Sequence, residues 1–348
     1  MVNPDIQGVL SDYLAITSNH QLSRCKVAST LKTQDFDDEK SQWDEHQRLR
    51  TRFWKFYRDN SSLNPQDIEG GPVKKSFFSY LDLKVQIAEK IYQNCILCEK
   101  MCHVDRTRET GECGVTHPLI ASEFLHVGEE PPLVPSHTIF FTGCNFQCVY
   151  CQNWDISQRT RGIPLSEEEL AGVIEKRRRE GSRNVNFVGG DPTPNLPYIL
   201  RTMRRVRENI PVVWNSNMYL SQYAMHLLDG FVDLYLTDFK YGNDACAQRL
   251  SGIPYYMETV GRNHKLAQKS GDMIIRHLVL PNHVECCSKP LLDWISRNLG
   301  LDVVLNIMGQ YHPVYHAPEY GEISRALIRS ELVEVINYAQ DLGFRNVI

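Results

Sequence analysis

The chain has 348 residues and a formal net charge of −4 at pH 7, enough length for one large domain, an appendage and a substantial core. That charge balance offers no broad basic field, which argues against a nucleic-acid partner. No apolar run approaches the roughly 18 to 20 residues of a membrane span, so no membrane partner is expected.

The start, Met1-Val-Asn-Pro-Asp5, lacks the basic-then-apolar layout of a signal peptide. Most of the 11 cysteines fall in two metal-like clusters rather than in a disulfide framework, so the expected compartment is a reducing cytoplasm. Residues 1–75 read as an N-terminal helical appendage. Within it Trp43, Leu49, Phe53, Trp54 and Tyr57 make a loose helical stripe, expected to pack against the main domain. Asn64-Pro65 and Gly70-Gly71-Pro72 break the chain and predict a linker, after which Leu81 to Tyr92 forms a second amphipathic helix.

Residues 76–135 form a cysteine-rich metal module. Cys95, Cys98, Cys102 and Cys113, spaced C-x2-C-x3-C-x10-C, are a complete ligand set for tetrahedral zinc or for an auxiliary iron–sulfur cluster. A knuckle that staples the module shut and an electron relay are both open. His103 and His117 are not needed as ligands.

From residue 136 to 348 strands and helices alternate, which predicts an α/β fold with parallel strands. Strands are expected at 139–142, 185–188, 212–215, 234–237, 274–280 and 303–307. Helices are expected from a capping box at Ser166-Glu-Glu-Glu169 and at 195–207, 220–228, 257–269, 289–298 and 330–342. The basic run Lys176–Arg179 lies among glutamates and reads as a solvated helix face.

The first strand leads into a loop carrying Cys144, Cys148 and Cys151, spaced C-x3-C-x2-C, with Tyr150 before the third. Three thiolates on one short loop can hold three irons of a [4Fe-4S] cubane and leave the fourth open. Zinc ordinarily takes four ligands in paired knuckles. Later strands end in Gly189-Gly190-Asp191-Pro192, Asn215-Ser216-Asn217, Asp238-Phe239-Lys240, Arg276-His277 and Met308-Gly309-Gln310-Tyr311. In a barrel those ends carry the active residues. Cys25, Cys246, Cys286 and Cys287 fit neither ligand set and are expected to be inert.

The three-cysteine loop resembles the signature of the radical S-adenosylmethionine (SAM) enzymes, and the six strand–helix units resemble their partial open (β/α)6 barrel, TIM-like but unclosed. The resemblance implies that SAM chelates the open iron and is split by a cluster electron to a 5′-deoxyadenosyl radical that abstracts hydrogen. It implies that Tyr150 lies at the adenine, and that Gly189, Gly190 and Asp191, similar to a Gly-Gly-Glu-Pro motif, receive the SAM amino group. Asp238-x-Lys240 and Arg276 resemble pyruvate formate-lyase activating enzyme and related glycyl-radical activases. This places Lys240 and Arg276 as SAM contacts and Asp238, with Asn215 and Ser216, at a monovalent cation. Cys-Asn-Phe-x-Cys-x-x-Cys-Gln-Asn and Ile-Arg-His-Leu-Val-Leu-Pro, within residues 93 to 348, are similar to a branch called PflX-like, related to radical SAM proteins that accompany Memo-like proteins.

Tyr311 is the substrate-side candidate for a catalytic role. The implied partners are a protein substrate, such as a glycyl-radical enzyme, and a flavodoxin- or ferredoxin-type electron donor. The chain shows no Arg-Val-x-Gly-Tyr-like loop, so it reads as activator rather than activated enzyme. The rival readings are radical modification of another protein or small molecule, a non-catalytic metal-binding regulator, and a zinc-knuckle nucleic-acid binder, the last opposed by the charge. Strand-like Val347-Ile348 implies that the pattern runs slightly further.

Overall fold

Five helices precede the first strand in the computed structural model, which describes residues 4–59 and 77–348. They are α1 (Pro4–Val9), α2 (Ser11–Thr17), α3 (Arg24–Thr30), α4 (Glu39–Asp59) and α5 (Tyr80–Gln93). The linker signals between residues 64 and 72 lie outside the described residues. Ser79 starts α5 with a capping box to Asp82, so two of its first free amides are satisfied locally.

There follow β1 (Ile120–His126), β2 (Ser136–Phe141), α6 (Trp154–Ser157), α7 (Glu167–Arg179), β3 (Asn184–Gly189), α8 (Leu196–Arg205), β4 (Val212–Ser216) and α9 (Gln222–Leu228). The remainder is β5 (Leu234–Asp238), α10 (Asp244–Ser251), α11 (Tyr256–Ser270), β6 (Asp272–Leu278), α12 (Lys289–Asn298), β7 (Val304–Met308), α13 (Arg329–Leu342) and β8 (Asn346–Val347). The capping box predicted at Ser166 and Glu169 does start α7.

The eight strands form one open sheet in sequence order. Its centre, β2 to β7, is the six-strand parallel array that the alternation predicts. Of the two edge strands, β1, antiparallel to β2, was not predicted; the short β8, parallel to β7, includes Val347, which was read as strand-like. Both faces of a parallel sheet are covered by other elements, so its strands read as apolar runs. Accordingly every residue of β4, Val-Val-Trp-Asn-Ser, is buried.

Alternate strand residues point to one face. On the inner face Val213, Leu234, Leu236, Ile274 and Val304 cluster with Ile6, Leu10 and Tyr13 of the first two helices. The Tyr13 hydroxyl accepts from Asn184 Nδ2 at 2.8 Å, and its amide donates to Asp272 at 2.8 Å. The chain's first two helices thus pack against one face of the sheet.

The stripe on α4 buries Leu49, Phe53 and Tyr57. It faces α5 and the turn after α9, where Trp54 Nε1 donates to Asp229 at 2.7 Å. The basic run on α7 is less free than its composition implies, since Arg177 pairs with Glu123 of β1 at 2.8 Å and Arg178 donates to the Thr17 carbonyl at 3.0 Å.

The four last carbonyls of a helix need outside donors. For α9 the donor is the fully buried Lys84 of α5, whose Nζ reaches the carbonyls of Leu227 at 3.0 Å and Asp229 at 2.7 Å. Lys84→Met keeps most of the volume and strands those acceptors. It should lower stability by about 2 to 4 kcal/mol, read as a lower denaturant midpoint at unchanged slope.

Candidate active site

The parallel strands β2 to β7 all run the same way, so their C-terminal ends open onto one edge of the sheet. After β2 the chain turns at Gly143 and enters the loop of Cys144, Cys148 and Cys151. Each sulfur faces a donor. The Phe146 amide lies 3.4 Å from Cys144 Sγ, and Asn217 Nδ2 reaches the same sulfur at 3.8 Å. Ser251 Oγ donates to Cys148 Sγ at 2.9 Å, and Ser157 Oγ lies 3.2 Å from Cys151 Sγ. Burial, reinforced by Asp191, holds the Cys144 thiol well above its usual range. Burial also pushes Cys148 up to about 11, although Lys240 pulls it back. A bound cation reverses that order, because a coordinating thiol is deprotonated outright. Three thiols with donors already aimed at them fit the three-ligand set of an iron–sulfur cluster.

The second strand end locks onto this loop. The Gly190 amide donates to the Phe141 carbonyl at 2.9 Å, and the Asp191 amide to the Gly143 carbonyl at 3.0 Å. A side chain on Gly190 would strike the Gly143 carbonyl oxygen, and one on Gly189, at φ +132°, would strike the backbone of Phe141. The glycines are therefore there for close backbone approach. Asp191 is buried and spends its carboxylate on the Thr193 amide at 2.9 Å, the Ser216 hydroxyl at 2.9 Å and the Asn217 amide at 3.0 Å. It ties the ends of β3 and β4 together beside Cys144. Asn215 is buried in β4, paired in register with Leu236.

Lys240 follows β5 and donates to Asp238 at 2.7 Å, while its amide donates to the Tyr256 hydroxyl at 2.7 Å. Asp238 and Arg276 are register partners on β5 and β6. The Arg276 fork is filled by the chain itself. It binds both oxygens of Glu130 at 2.6 and 2.7 Å and also pairs with Glu129. Those glutamates come from the connection between β1 and β2, and are held in turn by Asn306 at 2.8 Å and Asn186 at 3.2 Å.

Tyr150 is buried, and its hydroxyl starts a chain back to the cluster loop. It donates to Tyr241 at 2.7 Å, Tyr241 meets Ser251 at 2.5 Å, and Ser251 reaches Cys148. Tyr311 packs edge-on against Tyr150, with centroids 6.1 Å apart, and its own hydroxyl donates to the Ile323 carbonyl at 2.6 Å. Both nitrogens of His277 are engaged, by the Phe239 carbonyl and Ser288.

The four-cysteine module sits against this edge through the bridge between Cys98 and Leu220. Arg106, buried, lies 3.7 Å from Cys95 Sγ and also binds the Val115 carbonyl. The Glu112 amide points at Cys102 Sγ at 3.4 Å. Burial raises Cys113, with the Cys95 and Cys102 thiols adding to it.

Sequence reasoning missed several contributors. Ser157, Ser251 and Tyr241 act through tertiary contacts that no spacing encodes. The Glu129-Glu130 pair was legible only as two adjacent acids in a connection. Cys246, Cys286 and Cys287, read singly as inert, are brought together with His283; the cue available was the His-x2-Cys-Cys spacing.

The model for the Radical SAM superfamily matches residues 138–295. The chain is 46% identical over 340 residues to uncharacterized protein MJ0674 of Methanocaldococcus jannaschii, covering 95% of this chain and 97% of that protein. It is 26% identical over 148 residues to pyruvate formate-lyase 1-activating enzyme of Escherichia coli, covering 41% of this chain and 60% of that enzyme. The crystal structure of Streptococcus suis SuiB bound to S-adenosylmethionine overlays with a TM-score of 0.41 at 13% identity, covering 57% of this chain and 44% of SuiB.

Proposed function

The chain belongs to the radical SAM superfamily and is an enzyme of that class, and from this we propose that Cys144, Cys148 and Cys151 hold three irons of a [4Fe-4S] cluster whose fourth iron is left to SAM. When bound, that pair supplies reductive cleavage to a 5′-deoxyadenosyl radical for hydrogen abstraction.

The observation that carries the reading is the meeting of the three-thiol loop with the Gly189–Asp191 turn and Lys240 at one end of the parallel strands. Asn217, Ser251 and Ser157 orient the three sulfurs and offset their charge. Because the Asp191 carboxylate is spent inside the protein, we assign reception of the SAM amino group to backbone of the Gly189–Asp191 turn. Lys240 is the cation for the SAM carboxylate. Arg276 holds the Glu129–Glu130 pair, and we assign it to fixing the inner wall beside Lys240. Asp238 orients the Lys240 ammonium; a monovalent cation shared with Asn215 and Ser216 is the alternative use of that carboxylate. Tyr150, Tyr241 and Tyr311 form a buried aromatic wall that keeps water from the radical. In this reading Tyr150 lies at the adenine and Tyr311 backs it.

Similarity to the E. coli activating enzyme supports a protein substrate, with a glycine hydrogen as the target and a small electron-transfer protein as donor. Cys95, Cys98, Cys102 and Cys113 would hold a second metal, as zinc or an auxiliary cluster. A reducing cytoplasm is the compartment we read for it, supported by the two metal-like cysteine clusters; no helix among the described residues is long and apolar enough to cross a membrane.

Anaerobic reconstitution with iron and sulfide, reduction and addition of SAM should yield 5′-deoxyadenosine; a reduced, fully loaded cluster that leaves SAM intact contradicts the proposal. Lys240→Gln should retain full iron and weaken SAM binding by about 10- to 100-fold, the worth of one charge-assisted hydrogen bond. Titration of the reduced protein with SAM measures it.

A further inference from the structure

We propose that Cys246, His283, Cys286 and Cys287 form a mononuclear zinc site, separate from both the catalytic loop and the four-cysteine module. Among the described residues they make a group whose four ligand atoms all lie within 4.8 Å of one another. His283 Nδ1 stands 3.6 Å from Cys246 Sγ, 3.3 Å from Cys286 Sγ and 3.8 Å from Cys287 Sγ. The sulfurs of Cys246 and Cys286 are 3.9 Å apart. Tetrahedral zinc with ordinary Zn–S and Zn–N bonds sets sulfur–sulfur edges of about 3.8 Å and sulfur–nitrogen edges of about 3.6 Å. The three edges from His283 and the Cys246–Cys286 edge thus already match a zinc tetrahedron. A cubane puts a separate iron under each thiolate and would hold the sulfurs wider apart, so this spacing suits one ion. Three soft thiolates and an imidazole select zinc over the oxygen-seeking cations.

The backbone is shaped for the purpose. Val284–Ser288 is a π-turn, in which the Ser288 amide reaches the His283 carbonyl five residues back at 3.1 Å. Such turns are rare and concentrate at functional sites. Here Cys286 and Cys287 stand three and four residues after His283, so both face it from one side of the turn, with both sulfurs within 3.8 Å of His283 Nδ1. Asn243 adds an outer layer. Its side chain caps α10 by accepting from the Cys246 amide at 2.8 Å. Its Nδ2 donates to the Cys286 carbonyl at 2.6 Å and lies 3.3 Å from Cys246 Sγ and 3.6 Å from Cys287 Sγ. Amide donors aimed at sulfur are what orient and neutralise thiolate ligands. Cys287 and His283 are buried while Cys286 is exposed, giving the ion a way in.

The site joins α10 to the connection between β6 and α12. The far end of α10 carries Ser251, the donor to Cys148, and the preceding connection carries Lys240. Zinc at this point is a clip that holds the loops after β5 and β6 in register behind the cluster.

Two measurements test it. Zinc and iron are counted per chain in wild type and in Cys286→Ser, both loaded anaerobically. The variant should lose one zinc per chain with iron unchanged, and His283→Cys, which restores four soft ligands, should keep it. Equal zinc in wild type and Cys286→Ser overturns the site. The second needs no variant. In the native protein the exposed Cys286 should resist alkylation until a chelator is added, as mapped by peptide mass. Alkylation at the rate of a free thiol without chelator overturns the proposal, as does protection relieved only by reductant, which would mark a Cys246–Cys286 disulfide.

Discussion

Cys148→Ala is expected to abolish 5′-deoxyadenosine formation, to the background of enzyme lacking iron. Cys148 is the loop sulfur most enclosed by the fold. The Ser251 hydroxyl donates to it, Tyr241 and Tyr150 extend that chain inward, and Lys240 acts on it electrostatically. Alanine removes one of only three thiolates on the loop, and two cannot fix the orientation of a cubane with a substrate-binding iron. Ser251 then faces a void and the Lys240 ammonium loses an anionic neighbour. The defect should therefore appear in iron content and in product together. Ser251→Ala should behave differently: it keeps all three ligands and removes one donor, so iron should remain and turnover fall only in part.

Gly190→Ala should be nearly as damaging, through the backbone rather than a ligand. The Gly190 amide bonds to Phe141 and the Asp191 amide to Gly143, with no space between the two chains. An added methyl meets the Gly143 carbonyl, and Gly143 is itself at φ +83° with Val115 packed against it, so the loop cannot retreat. Separating the strand ends breaks both hydrogen bonds and displaces the turn that leads to Cys144. Overpacking of this kind costs on the order of 3 kcal/mol. The measurable result is a lower melting temperature and poor iron retention, whereas Gly181→Ala, where nothing lies within 4 Å but φ is +100°, should cost much less.

The parallel strands and their helices were legible because each has a local cause: apolar runs of strand length, a capping box at Ser166, and breaks at Gly and Pro. The cluster loop was legible because its three thiols lie within eight residues, Cys144 to Cys151. The packing of the first two helices was not, since their burial against Val213 and Leu234 depends on the sheet already existing. β1 escaped notice because only Ile120 of it is buried, the other positions being half-buried or exposed at the sheet's edge. The partners of Arg276 were hidden for a similar reason: Glu129 and Glu130 stand far from it in sequence and meet it only when the β1–β2 connection folds inward. Cys246 and His283 are likewise distant in sequence, and the group assembles only when α10 meets the connection between β6 and α12. Local chemistry can be read from spacing; the tertiary donors that tune it cannot.

The central claim is that the three-thiol loop leaves one iron of its cluster for SAM. Electron paramagnetic resonance of the anaerobically reduced protein, recorded without and with SAM, tests it most directly. A reduced [4Fe-4S] signal is expected whose g-values shift when SAM is added, and whose shift disappears in Cys148→Ala along with the cluster. A reduced cluster with a spectrum identical in the presence of saturating SAM would contradict it.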